Sequence, residues 1–205
     1  MKMNHKNKTK EEQMKEILDE IWNGKDLPLY EERVKNKAYP VIGEGSHDTR
    51  IMFIGEAPGK NEAKTGRPFC GAAGKILDKL LESVGLNRDD VYITNIVKDR
   101  PQQNRDPLPD EIASYAPFLD RQIDIIRPRV IAALGRYSMN YVLEKFGLQE
   151  EIQPISKIHG TIFDVKVPFG SVKIIPLYHP AASIYNRTTL DDLKKDFKIL
   201  KKIVS

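Results

Sequence analysis

Arg50-Ile51-Met52-Phe53-Ile54-Gly55-Glu56-Ala57-Pro58-Gly59 is the stretch on which the architecture turns. Its four consecutive apolar residues are too few for a helix, and they run straight into a Gly/Pro turn, so they read as a short strand buried on both faces. Downstream, Ile76, Leu77, Leu80, Leu81 and Val84 mark the inner face of a helix that begins near Ala72 and closes at Gly85. Val91-Tyr92-Ile93-Thr94 is the next strand, and a helix from Pro109 to Ile126 stops before Pro128. Val130-Ile131-Ala132-Ala133-Leu134 is the most apolar strand, and Gly135 turns the chain into a helix reaching Phe146. Thr161–Val167 alternates like a strand, Pro168-Phe169-Gly170 reads as a hairpin turn, and Val172–Leu177 is its partner. A last helix places Leu190, Leu193, Phe197 and Leu200 on one face. Upstream, Met14, Ile17, Leu18 and Ile21 predict a helix over Lys10–Trp22, ended by Gly24, and Asp26–Arg50 reads as a long irregular connection.

Strands alternating with helices predict an α/β fold: a central, mainly parallel sheet with helices on both sides. A flexible segment over residues 1–9 and a single domain over 10–205 account for the whole chain. In such a sheet, ligands gather at the carboxyl ends of strands. Three loops there are unusual, those opened by Gly55, Asn95 and His179.

Composition narrows the function. Lys and Arg number 33 against 29 Asp and Glu, a net charge of +4 that permits a phosphate-rich partner without demanding one. Cys70 is the lone cysteine, which excludes an internal disulfide and any all-cysteine metal or iron–sulfur site within one chain. No apolar run approaches the ~20 residues of a membrane span, and Met1 to Lys10 is basic and polar, so a cytoplasmic protein off the membrane is expected. His5, His47 and His159 have no carboxylate or cysteine cluster around them, so no metal is expected.

The loop from Gly55 to Gly74 holds five glycines with Pro58 and Pro68. It is neither a Walker A loop nor a dinucleotide fingerprint. Glu56, directly after a buried strand, is either a partly desolvated functional carboxylate or a surface cap on backbone amides. Phe69 is a core plug or a stacking platform for a planar base. Asn95 caps a turn or offers a donor and an acceptor to a base edge. Lys98, Arg100 and Arg105 are a solvated loop or a set of phosphate contacts. A lone histidine such as His179 is more often structural than catalytic.

Together these segments resemble the uracil-DNA glycosylase superfamily, most closely its family 4 branch. The matching stretches are Gly55-Glu56-Ala57-Pro58-Gly59, Thr65–Gly74, Asn95-Ile96-Val97-Lys98, Arg100-Pro101 with Asn104-Arg105, Leu134-Gly135 and His179-Pro180-Ala181, in order over Pro28 to Phe197. The resemblance implies a three-layer α/β/α sandwich and a monomeric enzyme that flips uracil out of DNA and hydrolyses its glycosidic bond. It implies that Phe69 stacks on uracil, Asn95 reads its N3 and O4 edge, Glu62 blocks a C5 methyl group, and Ala57 lines the base. It further implies that His179 stabilises charge on O2, with Glu56 on the catalytic side, and that Ile184 or Tyr185 wedges into the vacated stack. The water-activating Asp of the archetypal branch is replaced, since Glu56-Ala57 stands where that branch has Gln-Asp. Family 4 also implies an iron–sulfur cluster on four cysteines, yet the corresponding positions are Gly24, Leu27, Asp99 and Tyr115. A cofactor-free relative is therefore expected, its N-terminal segment held by packing. His159 stands where Arg is more usual, as a phosphate contact or a structural residue. A glycosylase-fold protein that binds uracil or another deaminated base in DNA without turnover is the competing reading.

Overall fold

In the computed structural model, which describes residues 8–204, one sheet is built from β1 (Glu44–Gly45), β2 (Ile51–Gly55), β3 (Tyr92–Asn95), β4 (Val130–Leu134), β5 (Phe163–Val167) and β6 (Gly170–Leu177). The strand order is β1-β3-β2-β4-β6-β5. The four inner strands are mutually parallel, and each edge strand is antiparallel to its neighbour. The helices are α1 (Lys10–Asn23), α2 (Tyr30–Lys35), α3 (Lys60–Thr65), α4 (Ala72–Ser83), α5 (Pro109–Ile126), α6 (Arg136–Lys145), α7 (Ile155–Ile158) and α8 (Arg187–Val204).

The pleat explains the all-apolar β2. Met52 and Ile54 join one core with Ile17 and Ile21 of α1, Leu119 and Ile123 of α5, and Val142 of α6. Ile51 and Phe53 point the other way, into a second core with Leu77 and Leu81 of α4 and Leu193 and Phe197 of α8. Phe53 and Phe197 stack at 5.8 Å between ring centroids. A sheet with an apolar core on each face is the expected α/β/α sandwich.

Four readings need correction or refinement. Residues 26–50 are not wholly irregular, because α2 and β1 lie there. The single buried side chain of α2 is Arg33, so no apolar periodicity announces it. A short helix, α3, breaks the glycine loop, and β5 starts at Phe163 rather than Thr161. Thr9, assigned to the flexible segment, caps α1: its hydroxyl accepts from the Glu12 amide while the Glu12 carboxylate accepts from the Thr9 amide. Residues 1–7 of that segment lie outside the described residues, and Lys8 pairs with Glu16.

Arg33 ties the N-terminal helices to the sheet. Its guanidinium donates to Asp99 Oδ2 at 2.7 Å and to the carbonyls of Ile21 and Trp22 at 3.0 and 2.8 Å. Tyr115 of α5 donates its hydroxyl to the same Asp99 oxygen at 2.6 Å. All three side chains are buried. Burial pushes the Asp99 carboxyl above its ordinary range, and Tyr115 and Arg33 pull it back. Removing one partner of such a pair strands a charge, whereas removing both does not. Asp99→Ala is expected to lose about 3–5 kcal/mol in denaturant unfolding. Arg33→Met with Asp99→Leu should lose clearly less than the two single changes added together, and strict additivity would break this account of the pair.

Candidate active site

The carboxyl ends of β2, β3 and β6 converge on a cleft of about 310 Å³. Its walls include Glu56, Ala57, Glu62, Phe69, Asn95 and His179. The first two loops are zipped together, because Gly55 and Glu56 accept through their carbonyls from the amides of Ile96 and Val97, both at 3.0 Å. Gly55 has to be glycine. A Cβ there would stand 2.4 Å from Asn95 Oδ1 and 2.8 Å from the Phe69 ring.

Phe69 adopts φ +48°, a left-handed conformation that is strained for a bulky aromatic residue. Its surroundings over-determine it. Glu62 Oε1 accepts from the amides of Cys70 and Gly71 at 3.0 and 2.9 Å. Arg88 donates to the Pro68 carbonyl and, at 2.8 Å, to Asp78. Gly74 leaves room for the Phe69 carbonyl, which a Cβ would overlap at 1.7 Å. The Phe69 ring then lies buried against His179, with centroids 5.5 Å apart and planes 30° from parallel.

Asn95 is 2% exposed, and among the described residues nothing hydrogen-bonds its side-chain amide. The amide lines the open cleft, so a ligand there can supply the partners that the protein does not. His179 has its pKa lowered to about 4 by burial, against the opposing charge of Glu62, so the ring is neutral near pH 7. Its Nδ1 accepts from the Ala181 amide at 3.2 Å, which assigns the proton to Nε2 as a donor. Glu56 has its pKa raised to about 7, first by burial and then by the Asp106 charge, with Arg136 opposing. Asp106 is itself held by the Tyr137 hydroxyl at 2.7 Å and Arg136 at 3.2 Å.

The basic loop departs from expectation. Lys98, expected at a phosphate, is fully buried and cannot touch DNA. Two apolar neighbours, Ile96 and Val97, carry it inward, and that was the available signal. Arg105 is paired to Glu111 at 2.8 and 2.5 Å, and Arg100 donates to Asn104 at 2.7 Å. Both retain some exposure. Ile184 and Tyr185 follow the turn over Pro180–Ser183 and are 39% and 98% exposed. His159 pairs with Asp196 at 2.8 Å, a structural contact. Asn104, which the sequence reading placed in a matching stretch without a role, lines the cleft from a backbone at φ +56°. The sequence reading missed the Asp106–Arg136–Tyr137 group, in which Asp106 lies 30 residues before Arg136 and 31 before Tyr137.

Residues 42–203 match the family model described as the uracil DNA glycosylase superfamily. The chain belongs to the uracil-DNA glycosylase superfamily. It is 44% identical over 191 residues to the type-4 uracil-DNA glycosylase of Sulfurisphaera tokodaii, covering 93% of this chain and 84% of that protein. The type-4 enzyme of Archaeoglobus fulgidus is 41% identical, with 91% of each chain covered. That of Thermotoga maritima is 40% identical, over 95% of this chain and 98% of its own.

The iron–sulfur cluster implied by the resemblance to family 4 of this superfamily does not fit the residues present. Asp99 is already engaged by Arg33 and Tyr115. The Tyr115 phenol is buried, which pushes its pKa above the ordinary value and away from a phenolate ligand. Gly24 has no side chain and Leu27 offers only an apolar one, so neither supplies a ligand atom. Among the described residues, no group of three His, Cys, Asp or Glu side chains is placed to hold a metal ion. The buried polar triad stands at two of the four positions and a leucine at a third.

Glu56 places a cost on the fold at neutral pH. As pH rises past the ordinary value of 4.5, the unfolded chain releases its Glu56 proton while the folded chain keeps it until about 7. Stability therefore falls across that window and the loss is complete above it. Glu56→Gln should match the native protein in thermal unfolding at pH 4 and exceed it at pH 8. Equal melting temperatures at both pH values would exclude a desolvated Glu56.

Proposed function

We propose that this chain is a monofunctional uracil-DNA glycosylase, acting in base excision repair on uracil left by cytosine deamination. The observation that carries the reading is the convergence of a free Asn95 amide, the strained Phe69 ring and a neutral His179 on one cleft at the strand ends. Flipping brings the base out of the stack and into that cleft. Phe69 stacks on the ring, and Asn95 donates to O4 and accepts from N3–H. Glu62 and Ala57 close the C5 side against thymine.

When the C1′–N1 bond breaks, its electron pair leaves with uracil and the sugar becomes oxocarbenium-like. His179 Nε2–H donates to O2, where the charge develops. A neutral donor suits this step, because it needs no proton transfer to the leaving base. Water, oriented by the Glu56 carboxylate, adds to C1′, and the proton it loses passes through solvent to the uracil anion. The products are free uracil and an abasic site. Arg100 and Arg105 contact phosphates near the cleft, and Tyr185 or Ile184 fills the gap left by the flipped base. The protein acts as a cytoplasmic monomer on chromosomal DNA.

An oligonucleotide with one uracil, treated with protein and then alkali, should break at the uracil. Intact strands with a folded, DNA-bound protein would favour the competing reading, binding without turnover. His179→Ala is expected to lower kcat by about 10²–10³, the effect of losing one charge-stabilising donor. Asn95→Ala should raise KM and blunt discrimination between uracil and cytosine. The kcat of the native enzyme should rise with pH through about 7 as Glu56 ionises. That limb should survive in the residual activity of His179→Ala and vanish in Glu56→Gln. Tyr185→Ala should slow excision from duplex DNA more than from single strands, and equal losses on both would exclude Tyr185 as the wedge.

A further inference from the structure

Lys98 sits directly behind the cleft, and its surroundings account for every proton it carries. Nζ donates to the Asn95 carbonyl at 2.6 Å, to Thr94 Oγ1 at 2.8 Å and to Gln122 Oε1 at 2.6 Å. The Asn95 carbonyl and Gln122 Oε1 can only accept, whereas the Thr94 hydroxyl can accept or donate. The Thr94 hydroxyl donates to the Ile42 carbonyl at 2.6 Å, and the Gln122 amide nitrogen donates to that same carbonyl and to Tyr92 Oη at 2.9 and 3.0 Å. Whether Nζ carries two protons or three, its contacts can all be made, because the Thr94 hydroxyl can also turn to donate to a neutral amine while the Ile42 carbonyl keeps the Gln122 amide. Burial disfavours the charged form and lowers the Lys98 pKa well below its ordinary value. A lysine that is fully buried with all three of its polar contacts made inside the protein is available for no ligand, so its role is to hold its partners in place.

What it holds is the turn that carries Asn95. From above, the carbonyls of Gly55 and Glu56 fix the amides of Ile96 and Val97. From below, Lys98 grips the carbonyl of Asn95 itself. The Asn95 amide has no hydrogen-bonding partner of its own among the described residues, so the backbone sets its aim. We propose that Lys98 is a positioning residue for base selection: its three hydrogen bonds fix the backbone of Asn95, so uracil recognition depends on a lysine that touches neither base nor DNA. The inference rests on the reading of Asn95 as the group that meets the uracil edge.

Lys98→Met keeps the length and apolar stem of the side chain and removes all three polar contacts. Native protein and variant would be compared by thermal unfolding, kcat/KM on uracil-containing oligonucleotide, inhibition by free uracil, and affinity for abasic-site DNA. A small displacement of a recognition group costs on the order of 10²-fold. Lys98→Met is accordingly expected to lose that much in kcat/KM and to weaken inhibition by free uracil in parallel, with abasic-DNA affinity unchanged. Unchanged inhibition by free uracil in a folded variant would overturn the proposal, because a merely structural lysine lowers stability alone. So would a loss confined to abasic-DNA affinity, which signals a phosphate contact. If Lys98→Met does not fold, Thr94→Val, which removes one of the three polar partners, should show the same split to a smaller degree, and native inhibition by uracil in Thr94→Val would overturn the proposal. A native protein that leaves uracil DNA uncut overturns the functional reading itself, whereas a cleaving native protein matched by both variants overturns only the role of Lys98.

Discussion

Where β2 ends, three groups compete for one small volume: the backbone of Gly55, the ring of Phe69 and the amide of Asn95. A side chain on Gly55 would collide with both others. Its absence lets a residue from the glycine loop and a residue from the next strand meet at the same point. Everything else at the cleft follows from that approach. Phe69 can face His179 only because its backbone is bent into a left-handed conformation, and Glu62, Arg88 and the space at Gly74 keep it bent. Strain of this sort persists only where the surroundings over-determine it.

The electrostatics of the cleft share one cause. Burial raises Glu56 and lowers His179, so each group is drawn towards its uncharged form. Two groups of opposite kind are thereby kept near neutrality within one cleft, and the acid–base midpoint near 7 falls to the carboxylate rather than the imidazole. Burial acts on Lys98 in the same sense, disfavouring its charged form, and its Nζ is held behind the recognition loop by Asn95, Thr94 and Gln122.

The layered sheet could be read from the sequence because burial on two faces leaves an uninterrupted apolar signature, as at β2 and β4. The candidate base-binding residues were legible too, since Phe69 and Asn95 occupy positions where a loop ordinarily carries small or solvated groups. What escaped was whatever depended on a single polar contact across the fold. α2 has one buried side chain, an arginine, and no periodicity reveals it. Lys98 and Arg105 look alike in the sequence, yet one is buried behind Asn95 and the other is tied to Glu111. The Asp106–Arg136–Tyr137 group joins the loop before α5 to the start of α6, and pairing over such a distance leaves no local pattern.

The Arg33–Asp99–Tyr115 triad has a consequence for how the protein lives in a cell. An arginine, an aspartate and a tyrosine come with the chain and hold no metal or sulfide that oxidation could release. They need no assembly pathway, and superoxide or peroxide cannot dismantle them as they can an inorganic cluster. The attachment of α1 and α2 is thus complete when the polypeptide folds, and it stays intact during the oxidative episodes that damage DNA.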